Sequence, residues 1–277
     1  MRVTLFGASG LLGKTLMQHR TGDVTPLTSK DADIRDARQV LQAIEKTRPE
    51  WIVLTAAYTD VDGCETNRDL AFTVNRDGAE NVARAAQQIG CRLLTLSTDY
   101  VFDGTNSVPY ETTDPRVPRS VYGRSKAEGE IRVQEVLPHA CIVRTSWLFG
   151  VGGKCFPDTI LKLAATQPEL DVVNDQQGSP TYSVDLARAI IQLCHRGAEG
   201  IIHATNSGEC TWFEFAREIT AEAGLSTVIR PTTSDKFVRP AERPKYSVLS
   251  PHSLNHYGIT MPSWQDALHR YLAERGA

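Results

Sequence analysis

Through the first two hundred residues, short apolar runs alternate with longer amphipathic segments, and this alternation leaves few folds open. The runs occupy residues 3–6, 24–27, 51–54, 93–97, 141–144 and 201–204. Between them, residues 11–20, 37–46, 77–89 and 184–194 carry apolar side chains three and four positions apart, the spacing of one helix face. Strands that are apolar throughout and joined by helices build a parallel sheet with both faces covered. The expected class is therefore α/β, a doubly wound parallel sheet.

That rhythm breaks after Gly150 and again from Thr211, where Pro231, Pro240, Pro244, Pro251 and Pro262 accumulate. These stretches are expected to form a smaller lobe at the carboxyl ends of the strands, where open α/β sheets bind ligands. The expected division is 1–150 plus about 182–208 for a nucleotide-binding core. The substrate-binding lobe takes about 151–181 plus 209–277.

Charge and cysteine usage narrow the partners. A net charge of −3 gives no reason to expect nucleic acid. No apolar run approaches the ~20 residues that cross a bilayer, so no membrane is expected. Met1 to Gly7 run straight into a strand and a turn, without the apolar stretch of a signal peptide. The six cysteines lie apart with no C-x-x-C pair, which fits reduced, buried thiols and a cytoplasmic location. His252 and His256 stand four apart, but no third ligand is near, and no metal is expected.

Gly7-Ala8-Ser9-Gly10-Leu11-Leu12-Gly13 joins the first strand to the first helix. Glycines there let the backbone turn sharply and meet a pyrophosphate held at the helix N-terminus, as in Rossmann-like folds. A rival reading takes Ala8 to Thr15 as a triphosphate-cradling loop, with Lys14 and Thr15 serving phosphate and Mg²⁺. A third takes the turn as structural only. The second strand ends at Thr28, Ser29 and Lys30, without the acid that would bind a ribose 2′-hydroxyl and repel a 2′-phosphate. This favours NADPH, with NADH possible. Asp33, followed by Ile34, is a candidate acceptor for the adenine amino group. Thr55-Ala56-Ala57-Tyr58-Thr59 ends the third strand with small residues suited to a close cofactor, and Asn75 is a candidate helix cap.

Tyr122 and Lys126 stand four apart, on one face of a helix. A fixed ammonium is expected to lower the phenol pKa and so make Tyr122 a better proton donor to a reduced ketone. Upstream, Thr98 ends a strand, where its hydroxyl is placed to hydrogen-bond a substrate oxygen.

Together GASGLLG, TAAYTDVDGCE, STDYVFDG, YGRSK, RTSWLFG, the DQQGSPT loop and Arg243-Pro244 leading to Ser247 resemble the extended short-chain dehydrogenases, and within them the dTDP-4-dehydrorhamnose reductase family. The resemblance runs nearly the full length. It implies Tyr122 as proton donor, Lys126 on the nicotinamide ribose and Thr98 on the carbonyl. It implies Gly7, Gly10, Leu11 and Leu12 at the pyrophosphate, and Ala56, Ala57, Tyr58 and Thr59 along the middle of the cofactor. Thr98, Asp99 and Trp147 match substrate-contacting positions; for Trp147 the plain alternative is a core aromatic. Trp212 and Trp264 are assigned to packing. Arg243 is a candidate for the diphosphate, or else forms an exposed salt bridge.

The implied reaction is NADPH-dependent reduction of the C4 keto group of dTDP-4-dehydro-β-L-rhamnose to dTDP-L-rhamnose, by a monomer or homodimer. Some members carry a glutamate after the third glycine that serves a Mg²⁺-linked dimer; here Lys14 and Thr15 stand there. The alternatives are a reductase of another nucleotide-linked 4-keto-6-deoxy sugar, or a non-catalytic NADP-binding regulatory subunit. A dehydratase is disfavoured because Asp99 is followed by Tyr100 rather than glutamate.

Overall fold

A computed structural model describes residues 1–276. In its first part the elements run β1 (Arg2–Phe6), α1 (Leu11–Gln18), β2 (Asp23–Leu27), α2 (Ala37–Thr47), β3 (Trp51–Leu54), α3 (Val61–Thr66), α4 (Arg68–Phe72), α5 (Gly78–Ile89), β4 (Arg92–Thr98), α6 (Val121–Val136) and β5 (Cys141–Thr145). Then follow β6 (Leu148–Phe149), α7 (Phe156–Ala164), β7 (Glu169–Val173), β8 (Gln177–Gly178), β9 (Thr181–Tyr182), α8 (Ser183–His195) and β10 (Gly200–His203). The chain closes with β11 (Cys210–Thr211), α9 (Trp212–Glu222), β12 (Val228–Thr232), α10 (His252–His256) and α11 (Trp264–Gly276).

All six expected strands pair in one parallel sheet, ordered β2-β1-β3-β4-β5-β10. Alternate residues of each strand feed opposite faces. Val3, Leu5, Val53 and Leu94 pack with Ile190 and Leu193 of α8. Phe6, Ile52, Leu54 and Leu93 pack with Ile44 of α2, Val82 of α5 and Val133 of α6. Pro26 lies in β2, at the sheet edge, where a missing N–H leaves no neighbour unpaired. After β2 the chain crosses to the other side of β1, so the carboxyl ends of β1 and β3 flank the point where strand order reverses.

A separate aromatic core, built from Phe149, Phe215, Trp264, Leu268 and Tyr271, holds α7, α9 and α11 against the β7–β12 pair. The C-terminal stretch does not stay in that lobe throughout. Leu254, Ile259 and Met261 return to the core of the large sheet.

One local expectation is corrected. Asn75 does not cap a helix: α4 continues through a wider π-turn over Thr73–Asp77 into α5, with Asn75 inside it and 2% exposed. Its side chain accepts from the Tyr58 N–H (2.8 Å) and donates to the Tyr58 carbonyl and the Ser125 hydroxyl, each at 3.0 Å. It thereby ties the loop after β3 to α6.

Candidate active site

The glycine turn is shaped by close packing. Gly7 has φ +89°, and a Cβ there would stand 2.5 Å from the Ala56 nitrogen. Its N–H and that of Ala8 bond the Leu27 carbonyl, and Gly10 caps α1 without any side-chain acceptor. The first N–H groups of α1 are thus left for an anion from outside. Lys14 and Thr15 are otherwise engaged. Lys14 Nζ donates to the Gly152 carbonyl (3.1 Å), and the buried Thr15 hydroxyl bonds Leu11 and Ser183. This removes the triphosphate-loop reading.

Beyond the turn opens a cleft of about 430 Å³ lined by Gly10–Gly13, Ala57, Thr59, Thr98, Asp99, Tyr122, Lys126, Trp147 and Lys154. Three elements bring its chemistry together. β4 ends at Thr98. α6 presents Tyr122 and Lys126, and starts where the Ser120 hydroxyl accepts from the Gly123 N–H. A Cβ on Gly123 would stand 2.2 Å from the Tyr100 carbonyl oxygen, so only glycine lets α6 lie this close to the loop after β4.

Inside the cleft, burial governs the charges. The Tyr122 phenol is pushed above its ordinary pKa, mainly by burial; the Thr98 hydroxyl beside it works the other way, and Asp99 adds to the rise. Lys126 does not lower it as the spacing suggested. Its Nζ donates to the Leu96 carbonyl at 2.7 Å, and burial draws its own pKa down to about 8 against the pull of Glu130 one turn on. Thr98 also donates to Asp99 (2.9 Å), whose carboxyl burial raises to about 6. Tyr122, Thr98 and Asp99 form a continuous polar row. Behind it, fully buried Arg144 grips Glu130 with two hydrogen bonds, at 2.8 and 2.7 Å.

A second cleft of about 320 Å³ shares Gly10, Thr55 and Ala57 with the first. One side is apolar, formed by Phe6, Ala32, Ile34, Ala56, Leu70 and Val74; its lip carries Ser9, Thr28, Ser29, Asp33 and Arg35. Asp33 is already held by the Arg35 guanidinium, which keeps its carboxyl below the usual range. Asp31, not singled out from the sequence, accepts from the Thr28 N–H (2.8 Å) and hydroxyl (2.7 Å) and does not line the cleft.

The two clefts gather most of the expected residues: Gly7, Gly10, Leu11, Leu12, Thr28, Ser29, Asp33, Ile34, Ala56, Ala57, Thr59, Thr98, Asp99, Tyr122, Lys126 and Trp147. Three fall outside the lining. Lys30 is exposed, the Tyr58 backbone is tied to the Asn75 side chain, and Arg243 is clamped to Asp62, with the Arg243 Nη2 contact at 2.9 Å. Trp147 both lines the cleft and packs, its ring stacked on Trp212 at 3.5 Å and 7°. Its φ of +47° is a conformation that a bulky residue keeps only when its surroundings impose it.

The sequence reading missed Arg35, Thr145 and Lys154. Arg35 carried a signal, a cation two residues after Asp33; the other two come near only through the fold. Among the described residues no three His, Cys, Asp or Glu gather as a metal would need, and no helix is long and apolar enough to cross a membrane.

A dinucleotide suits this architecture. The turn leaves free N–H groups, and the far cleft has an apolar wall for a base. The buried Thr145 hydroxyl in the near cleft has no partner among the described residues. Comparison with known proteins agrees. The spore coat polysaccharide biosynthesis protein SpsK of Bacillus subtilis (strain 168) is 42% identical over 279 residues, covering 100% of this chain and 98% of its own. A dTDP-4-dehydrorhamnose reductase of Mycobacterium tuberculosis (strain ATCC 25618 / H37Rv) is 41% identical, covering 98% of this chain and 92% of its own. The crystal structure of dTDP-4-dehydrorhamnose reductase from Bacillus anthracis str. Ames in complex with NADP superposes with a TM-score of 0.96 at 41% identity, covering 99% of each chain. The model of the RmlD substrate binding domain matches residues 1–276, and the chain belongs to that family.

Proposed function

We propose that the chain is an NADPH-dependent oxidoreductase that reduces the C4 keto group of dTDP-4-dehydro-β-L-rhamnose to give dTDP-L-rhamnose. The observation that carries the reading is the convergence of Thr98, Tyr122 and Lys126 in one cleft, directly beside the pyrophosphate turn. Bound NADPH supplies the hydride. The chain's own residues do the rest. The glycine turn and the N-terminus of α1 hold the pyrophosphate. Ala56, Ala57 and Thr59 line the middle of the cofactor, and Ile34 with Leu70 flanks the base.

Burial keeps the proton on Tyr122 at neutral pH, so the phenol enters the reaction as an acid. It gives that proton to the sugar oxygen as negative charge develops there. Lys126, charged below about pH 8, stabilises the phenolate left behind and orients the ribose. Thr98, which otherwise donates to Asp99, turns its hydroxyl proton to the same sugar oxygen. Trp147 and Asp99 border the sugar. The working form is a monomer or a homodimer. The six buried free thiols suit a reducing cytoplasm.

The test is to supply dTDP-4-dehydro-β-L-rhamnose with NADPH or NADH, follow loss of reduced-cofactor absorbance, and identify the C4 configuration of the product by NMR. Turnover with NADPH preferred is expected. A stable fold that binds NADPH without turnover would make the chain a regulatory relative instead.

A further inference from the structure

The Thr98 hydroxyl has a single proton and two claims on it. In the cleft it donates that proton to Asp99 Oδ1 at 2.9 Å and accepts from the Tyr100 N–H at 3.3 Å. A ketone under reduction gathers negative charge on its oxygen, which can only accept. While Asp99 is a carboxylate, Thr98 can serve the sugar only by giving up its bond to Asp99.

The carboxyl is poorly placed to stay ionised. Asp99 lies in the single turn after β4, 2% exposed, and its Oδ2 has no hydrogen-bond partner among the described residues. The ionisable groups around it are Tyr100, next in the chain, Tyr122 and Lys126 from α6, and Lys154 on the cleft wall. Beyond the two phenols lie Arg243 and, from α3, Asp62 and Cys64. Lys126 is turned to the Leu96 carbonyl and Arg243 to Asp62, so neither pairs with Asp99. The Ser247 hydroxyl favours the ionised form without hydrogen-bonding Oδ2. A bare carboxylate oxygen is costly to bury, and a proton removes the charge. The carboxyl is accordingly raised to about 6. Among the described residues no histidine lines the cleft to titrate beside it.

We propose that Asp99 is a positioning residue for the reduction, carrying a proton that it donates to Thr98 Oγ1 so that the Thr98 proton is free for the sugar oxygen. The bond between the two side chains stays and its direction reverses. This role rests on the reductase reading and gives Asp99 no proton transfer to substrate; Tyr122 remains the acid.

The test follows kcat/KM for the sugar from about pH 5 to about pH 7.5, with NADPH saturating so that the cofactor's own phosphate does not enter. Wild type is expected to lose about three- to tenfold over that range, the worth of one hydrogen bond, and then to level off. Asp99→Asn offers an amide N–H to Thr98 at every pH. It is expected to stay within about threefold of the wild-type value at about pH 5 and to show no step. Thr98→Val removes the hydroxyl through which Asp99 acts, and its lower activity is expected to be level throughout. The infrared band of a protonated carboxyl reads the same proton without turnover. It is expected in wild type at about pH 5, lost by about pH 7.5, and missing from Asp99→Asn. A step that persists in Thr98→Val would mean that Asp99 meets the sugar directly. A loss beyond about 100-fold in Asp99→Asn would make the carboxyl an acid or base in its own right. Either result overturns the role, as does an active wild type without the step. Wild type that shows the infrared titration but turns over no sugar sinks the reductase reading, and the role with it.

Discussion

The two clefts on either side of the glycine turn are built on opposite principles. In the catalytic one, Thr98, Asp99, Tyr122 and Lys126 are all buried, and each answers to a neighbour fixed by packing. In the other, Ser29 and Arg35 lie open to water, and Arg35 bonds Asp33, two residues away. Burial therefore tunes chemistry at one end, by shifting the phenol and the ammonium away from their ordinary pKa values. At the other end solvent screens each charge, and the residues there adjust affinity by small steps.

The contrast breaks most easily at Tyr122. Tyr122→Phe is expected to lower kcat by about 10²- to 10⁴-fold while the Kd for NADPH moves less than about threefold. A variant that keeps full kcat would place the acid elsewhere. Next comes the support behind the catalytic wall. Arg144→Met leaves the Glu130 carboxylate buried without its main partner and is expected to cost about 3–5 kcal/mol in denaturant unfolding. The solvent-facing Arg230–Glu169 pair provides the comparison, since Arg230→Met should cost no more than about 1 kcal/mol.

Lys126 sharpens the picture through pH. Its pKa is lowered to about 8, so it carries its charge below that value and loses it above. In the free enzyme kcat/KM is expected to fall about tenfold per unit above roughly pH 8. A profile flat to pH 10 would mean that the ammonium is not needed. The smallest effect belongs to the exposed lip. Ser29→Ala is expected to raise the KM for NADPH only about two- to fivefold, without changing kcat, as measured by steady-state kinetics at fixed sugar.

Much of the frame was legible along the chain. The strand runs were mostly apolar, and Tyr122, Lys126 and Thr98 sat in motifs of fixed spacing. Asn75 was misread because a π-turn joins two helices there, and its buried partners, Tyr58 and Ser125, are distant in sequence. Arg243 matched a diphosphate position, yet its guanidinium pairs with Asp62 from α3, a contact 181 residues apart that no local pattern announces.

The sequence by itself determined the order of strands and helices, the glycine turn after β1 and the place of Tyr122, the proposed proton donor, one helical turn before a lysine. Periodicity and turn chemistry are local, and local rules suffice for them. Only the tertiary structure decided which charges those residues carry. The pKa of Tyr122 follows from burial and from Thr98, and that of Lys126 from burial and Glu130. Desolvation depends on everything packed around a group, including segments far away in the chain. For the same reason, Thr145 and Lys154 came to line the near cleft only once the fold had brought their segments to it.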